Sequence, residues 1–160
     1  MKRLTCLFAF SFIAFSLFAS DDDHPVVVAK SEKNINKEAL NSFLKTFKNA
    51  QVVNWETYKN LYVANFKLNN DDLTAVYDET GEYVSISRSI EFSELPLAVS
   101  MALNKKYDSF QKIGTVSEVS YTGYTAYFFT IETKTKYLRI KSTPDGDLWV
   151  TERMKKKGEN

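Results

Sequence analysis

The sequence predicts an α+β protein: a tandem αβ4 repeat whose eight strands form one antiparallel sheet, with two helices packed on one of its faces. Three observations carry this. The apolar period changes from 3.6 residues to two, and it does so twice along the chain. Gly, Asn, Asp and Pro punctuate the period-two stretches at hairpin intervals. The second series repeats the order of the first, and an offset of 65 residues carries Tyr62 to Tyr127, Phe66 to Ile131, Leu73 to Leu138, Ala75 to Ile140 and Gly81 to Gly146. Composition agrees, with 12 Phe, 9 Tyr and 2 Trp against 3 Pro and 5 Gly, the balance of an ordered, strand-rich domain.

Residues 1–19 read as a secretory signal peptide. Lys2 and Arg3 precede an uncharged apolar run over 4–19, followed at once by Asp21, Asp22 and Asp23. A run of about 16 residues is short for a membrane span, and the acidic triplet belongs outside the bilayer. Cleavage is expected after Ala19, which leaves Leu17 at the minus-three position; a cut after Ser20 would leave Phe18 there. The product is expected in the periplasm or outside the cell, with no stable membrane anchor. Cys6 is the one cysteine and lies in the signal, so the mature chain has no thiol chemistry and no disulfide. Loss of Lys2 and Arg3 takes the basic count from 21 to 19 against 20 acids, a net charge of −1. That balance offers nucleic acid no electrostatic footprint.

Residues 20–33 mix acids with His24 and Pro25 without periodicity and are expected to be a flexible segment. The domain is expected over 34–154, as one folded unit made of repeats 34–90 and 91–154, with 155–160 a charged tail. Leu40, Phe43, Leu44 and Phe47 predict a helix over about 36–48 with Asn36 as its cap. A strand over 52–57 follows. Tyr62, Ala64, Phe66 and Leu68 then share one face of a second strand, Leu73, Ala75 and Tyr77 of a third, and Val84 and Ile86 of a fourth. Turns fall at Tyr58-Lys59-Asn60, at 69–72 and at Asp78-Glu79-Thr80-Gly81. Ser93 is placed to cap a second helix, with Pro96 in its first turn and Leu95, Val99, Ala102 and Leu103 along one side. Four more alternating segments cover 113–121, 124–133, 136–142 and 147–154.

Alternation assigns Tyr62, Phe66, Leu73, Tyr127, Phe129, Ile131, Leu138, Ile140, Leu148 and Val150 to the helix side. It sends Val63, Val76, Tyr83, Tyr124, Phe128, Tyr137, Arg139 and Trp149 to the other side. A one-sided antiparallel sheet ordinarily carries polar residues there. Aromatics with an arginine are instead the composition of a protein-binding surface, which makes Tyr83, Tyr124, Phe128, Tyr137, Arg139 and Trp149 the candidate partner-binding residues. The competing reading needs no ligand, because cross-strand aromatics stabilise a sheet by about 0.2–1 kcal/mol per pair. Trp149 carries a conflict: the 65-residue offset equates it with Val84, which alternation turns inward, and a β-bulge beside one of the glycine hairpins would remove it. Trp55 is assigned to the core beside the first helix.

The runs Phe47-Lys48-Asn49-Ala50, Val53 with Trp55, Tyr77-Asp78-Glu79-Thr80-Gly81-Glu82-Tyr83 and Glu94-Leu95-Pro96-Leu97-Ala98-Val99 resemble the motifs of the PepSY-like, β-lactamase-inhibitor-like family of secreted Bacteroidetes proteins. That family shows a Phe-Pro-Asn-Ala start, a Val-x-Trp pair, a Tyr-Asp-x-x-Gly hairpin and a Leu-Pro-x-Ala-Val helix start. The match covers nearly the whole mature chain. It departs at Lys48, where the family has Pro, and at Ser142-Thr143, where it has an apolar residue and Asp. The resemblance implies a single PepSY-like domain whose sheet has a concave outer face, as in the secreted β-lactamase inhibitory protein. Lactamase inhibition does not follow from it, since fold does not fix function.

Few residues offer catalytic chemistry. His24 is the one histidine, in a polar segment, and there is no HExxH, no Ser with a plausible His and no Gly-rich phosphate loop. Asp78-Glu79-Thr80-Gly81-Glu82 and Asp145-Gly146-Asp147 lack the alternating oxygens and closing Glu of a calcium loop and read as hairpin turns. Lys155-Lys156-Lys157 reads as a solubilising tail. No cofactor, metal or enzymatic activity is expected. The sequence points to a secreted binding protein that presents an open sheet to a protein or peptide partner, with enzyme inhibition as one form of that binding. The alternative is an envelope accessory or structural module without inhibitory activity.

Overall fold

The computed structural model describes residues 35–107 and 109–156, with the side chains of Val52 and Val53 set aside. The expected signal peptide, the 20–33 segment with His24, and the tail from residue 157 onward lie outside the described residues. Helix α1 (Lys37–Thr46) starts where Asn36 fixes it: the Asn36 side-chain oxygen accepts from the N–H of Glu38 at 2.7 Å and of Ala39 at 3.1 Å. Two of the four orphan donors of the first turn are thereby satisfied. Ala39 and Phe43 form its fully buried stripe, whereas Leu44, which the periodicity put there, is 49% exposed.

Four strands then run as a meander: β1 (Gln51–Tyr58), β2 (Leu61–Leu68), β3 (Asp71–Tyr77) and β4 (Tyr83–Ile90). The β2–β3 turn places Asn69 and Asn70 at φ 51° and 75°, the left-handed pair that a tight hairpin requires. A 3₁₀ turn (Phe92–Glu94) and helix α2 (Leu97–Lys106) lead into β5 (Gln111–Tyr121), β6 (Tyr124–Glu132), β7 (Lys136–Ser142) and β8 (Leu148–Lys155). All eight strands lie in one sheet in sequence order, and every neighbouring pair is antiparallel. Strand β8 thus runs one residue past the boundary at 154, and Lys156 is tied back by an ion pair to Glu132.

Ser93 is not the cap of α2. It falls within the 3₁₀ turn, which the Glu94 carboxylate closes by accepting from the Glu91 N–H at 2.7 Å, and Pro96 is the N-cap. The reason is steric: a residue before proline is pushed to extended geometry, Leu95 sits at φ −58°, ψ 143°, and the helix cannot begin until proline is passed.

Each helix closes its own core over its half of the sheet, with Ile90 at the end of β4 joining the second. The first is aromatic. Phe43 meets Trp55 at 5.4 Å, Phe66 at 4.9 Å and Tyr77 at 6.5 Å, all edge to face, the geometry the ring quadrupole favours. Burial pushes the Tyr77 hydroxyl up to about 12. The second core is mainly aliphatic, with Val99 and Leu103 of α2 packed on Val116, Ile131, Leu138 and Ile140, alongside Phe92 and Phe129. Between the two cores, on the helix side, the Glu118 carboxylate accepts from Arg88 Nε at 2.6 Å and from the Tyr127 hydroxyl at 3.1 Å. That pairing holds the Arg88 guanidinium above its ordinary pKa.

Both halves anchor the helix start in the same way. A Cβ on Gly81 would lie 2.6 Å from the Glu38 carbonyl carbon in α1, and a Cβ on Gly146 would lie 2.6 Å from the Ala98 carbonyl oxygen in α2. Both glycines close the hairpin between the third and fourth strands of their half at positive φ, 78° and 91°. No side chain fits there, and the left-handed backbone suits glycine in any case.

Candidate functional site

The helices leave one face of the sheet open, and its residues follow from strand register. In the first half that face is mostly polar and internally bonded, with Val76 covered at 5% exposure and Tyr58, 59% exposed, at the end of β1 with the Lys59 ammonium 5.4 Å from its ring centroid. Thr74 Oγ1 donates to Asn65 Oδ1 at 2.8 Å, and Glu56 Oε1 accepts from Asn54 at 3.2 Å and from Asn65 at 3.4 Å. At the centre, Ser85, Ser87 and Ser89 of β4 stand opposite Tyr121, Val119 and Ser117 of β5.

In the second half the same face turns aromatic. Tyr121 pairs with Tyr124 across the β5–β6 hairpin, and their rings stack at 4.5 Å and 12°. Burial, and then the neighbouring Tyr124, raise the Tyr121 pKa. The next row runs Phe128, Lys141, Trp149 across β6, β7 and β8. The row beyond runs Thr130, Arg139, Glu152, and the last one Glu132, Tyr137, Met154. Ala126 lies on β6 between Tyr124 and Phe128 and is 0% exposed.

Register therefore brings Tyr124, Phe128, Tyr137, Arg139 and Trp149 onto one surface, as alternation predicts. They are not equally available. Tyr124 and Trp149 are 53% and 49% exposed. Arg139 Nη1 is paired with Glu152 Oε2 at 2.8 Å, and the Lys156 ammonium sits 5.8 Å from the Tyr137 ring centroid, so those two side chains are already engaged within the chain.

Tyr83 does not belong to this surface. It faces the helices, with its ring 6.3 Å from that of Tyr77 and its hydroxyl donating to the Ser120 carbonyl at 3.2 Å. Burial raises its pKa. The cause is a β-bulge: Tyr77 pairs with Tyr83 and Val76 with Ser85, so Val84 is an extra residue and alternation reverses across it. A matching bulge in the second half falls at Thr151, because Arg139 pairs with Glu152 and Ile140 with Val150. The two bulges lie two positions apart in the repeat, which removes the conflict between Trp149 and Val84. The offset itself held the right signal for Tyr83, since it equates Tyr83 with the inward Leu148. Val76 does lie on the open face, yet it is only 5% exposed.

Two residues of this surface escaped the sequence reading. Tyr121 precedes the Thr122-Gly123 turn directly and pairs with Tyr124. Lys141 continues the alternation of Tyr137 and Arg139, and its ammonium lies 5.9 Å from the ring centroids of both Tyr124 and Phe128. Selecting aromatics and arginine alone passed over it. Among the described residues no group of three or more His, Cys, Asp or Glu is placed to hold a metal ion, and no helix is long and apolar enough to cross a membrane.

An open antiparallel sheet in sequence order, with two helices on one face, is the architecture of BLIP-like proteins. A BLIP-like protein from Bacteroides fragilis has a crystal structure that superposes with a TM-score of 0.63 at 18% identity, over 78% of this chain and 89% of that one. A DUF2874 family protein from Bacteroides uniformis gives 0.65 at 20% identity, over 73% and 88%. A candidate periplasmic protein from Bacteroides eggerthii gives 0.65 at 20% identity, over 73% and 87%. These similarities are of fold. No protein-family model and no curated protein matches the chain, so the PepSY-like part of the resemblance rests on the motif residues alone.

Proposed function

We propose that this is a non-catalytic binding protein of the bacterial envelope or exterior, which presents the open face of β5–β8 to a protein or peptide partner. One observation carries the reading: in the first half the open face is mostly polar and self-bonded, with one exposed ring, Tyr58, at the end of the edge strand, whereas in the second half rings on neighbouring strands gather around a cation. Clustered Tyr and Trp side chains are the anchors that the centres of protein interfaces use. The predicted signal peptide supports export, and so does the fold shared with a candidate periplasmic protein. The binding would act by steric occlusion, and the BLIP-like neighbour makes an enzyme the first kind of partner to look for.

The test is capture of a partner from envelope and extracellular fractions by the parent protein and by the Tyr124→Ala/Trp149→Ala double variant. Truncating interface anchors costs about 2 kcal/mol or more, which is well over tenfold in affinity. The double variant should fold and lose the partner. A folded double variant that captures the same partner equally well would remove this face as the site, and a parent protein with no saturable partner would favour an accessory role in the envelope.

A further inference from the structure

Resting on that reading, we propose that the site is built to take a carboxylate: the partner inserts an Asp or Glu side chain against Lys141, among the rings of Tyr124, Phe128 and Trp149. The charge pattern of the open face argues for it. Lys67 is paired with Asp72, Arg139 with Glu152 and Lys156 with Glu132. Lys141 has no carboxylate within 4.0 Å among the described residues; its neighbours are rings, Phe128 and Trp149 across the strands and Tyr124 at 5.9 Å.

Ring faces hold a cation in place without neutralising it. A carboxylate arriving there meets a positioned ammonium with an apolar surround, and the rings exclude water from the pair as the partner closes over them. Such a pair fixes orientation and rejects uncharged competitors. A single lysine is a point charge that matches one carboxylate, and among the described residues the site offers neither an arginine fork nor a second free cation to match the higher charge and three oxygens of a phosphate. The nearby Arg139 is already committed to Glu152. A protein segment with an acidic side chain beside apolar residues therefore fits better than a phosphorylated ligand or an anionic membrane.

Random dodecapeptides displayed on phage, panned on the exported protein and counter-selected on the Tyr124→Ala/Trp149→Ala variant, supply the probe. The enriched peptides should carry Asp or Glu next to apolar residues. Synthetic versions should bind Lys141→Met about tenfold or more weakly, bind Lys67→Met like the parent, and weaken as salt rises. Lys141→Met should unfold at the parent's denaturant midpoint. Enriched peptides without acidic preference, or bound equally by Lys141→Met, would overturn the carboxylate assignment and leave the binding face standing. If no peptide distinguishes the parent from the double variant, the binding face fails and the carboxylate site with it.

Discussion

The two halves of the molecule spend their aromatic residues differently. In the first, Phe43, Phe47, Trp55, Phe66 and Tyr77 fill the space beneath α1, and the open face carries Asn54, Asn65, Thr74 and Glu56 with one exposed ring, Tyr58, at the edge strand. In the second, aliphatic side chains supply most of the space-filling beneath α2, and Tyr121, Tyr124, Phe128 and Trp149 stand on the open face. The backbone plan is the same in both, down to the hairpin glycine against the helix start. One αβ4 unit can therefore serve as a stabilising platform while its neighbour exposes the adhesive surface, and register alone decides which side of the sheet receives the rings.

The largest effect should separate inside from outside. Phe43→Ala removes the ring at the centre of the first core and should cost about 3–5 kcal/mol in urea unfolding. Tyr124→Ala with Trp149→Ala, although it removes two rings, should cost no more than about 1 kcal/mol. A double variant that unfolds as readily as Phe43→Ala would make the open-face rings structural and dissolve the contrast.

The second effect tests the likeness of the halves. Gly81→Ala and Gly146→Ala each add a Cβ at 2.6 Å from helix backbone on top of a positive φ. Each should cost about 2–4 kcal/mol, from strain in the left-handed region together with overpacking. Gly123→Ala has the same strain at φ 89° but open space around it, so it should cost only about 1 kcal/mol. A large difference between Gly81→Ala and Gly146→Ala would mean that the hairpins do not anchor their helices alike.

Much of this was legible in the sequence because period and turn chemistry are local. Alternation placed Tyr124, Phe128, Tyr137, Arg139 and Trp149 on the open face, and Asn36 announced the start of α1. Tyr83 was lost to a bulge at Val84, which inserts one residue without any residue type that marks it. The start of α2 was misplaced because Ser93 is a good cap in isolation, while Pro96, three residues later, forbids helix at Leu95. The availability of each surface residue could not be read at all: that Glu152 engages Arg139 while no acid among the described residues reaches Lys141 depends on the pairing of β7 with β8 and on the bulge at Thr151.

The smallest effect concerns acid. In the first hairpin, Asp78 Oδ1 accepts from the Thr80 hydroxyl at 2.7 Å and from the backbone N–H of Thr80 and of Glu82, each at 2.9 Å. These bonds, the Thr80 hydroxyl first, hold its pKa below the ordinary carboxylate value of 3.8. A depressed folded pKa means that the stabilisation is present above the unfolded value and is lost as pH falls through the folded one. The second hairpin has Thr143 in the equivalent place, accepting from the Asp147 N–H at 3.3 Å, and does not titrate there. Asp78→Thr should therefore flatten the fall in stability below about pH 4 by lowering stability slightly at neutral pH, where the ionised carboxylate contributes, and changing it least in acid. An unchanged acid limb in Asp78→Thr would show that the destabilisation originates elsewhere.

The most direct measurement is a nuclear magnetic resonance cross-saturation map of the protein bound to its captured partner, with saturation transferred from the partner. Signal loss should concentrate on Tyr124, Phe128, Lys141 and Trp149 and spare Asn54, Asn65 and Thr74 on the same face. Loss centred on the first-half residues, or on α1 and α2 on the opposite side, would contradict the assignment of the binding surface to the second half.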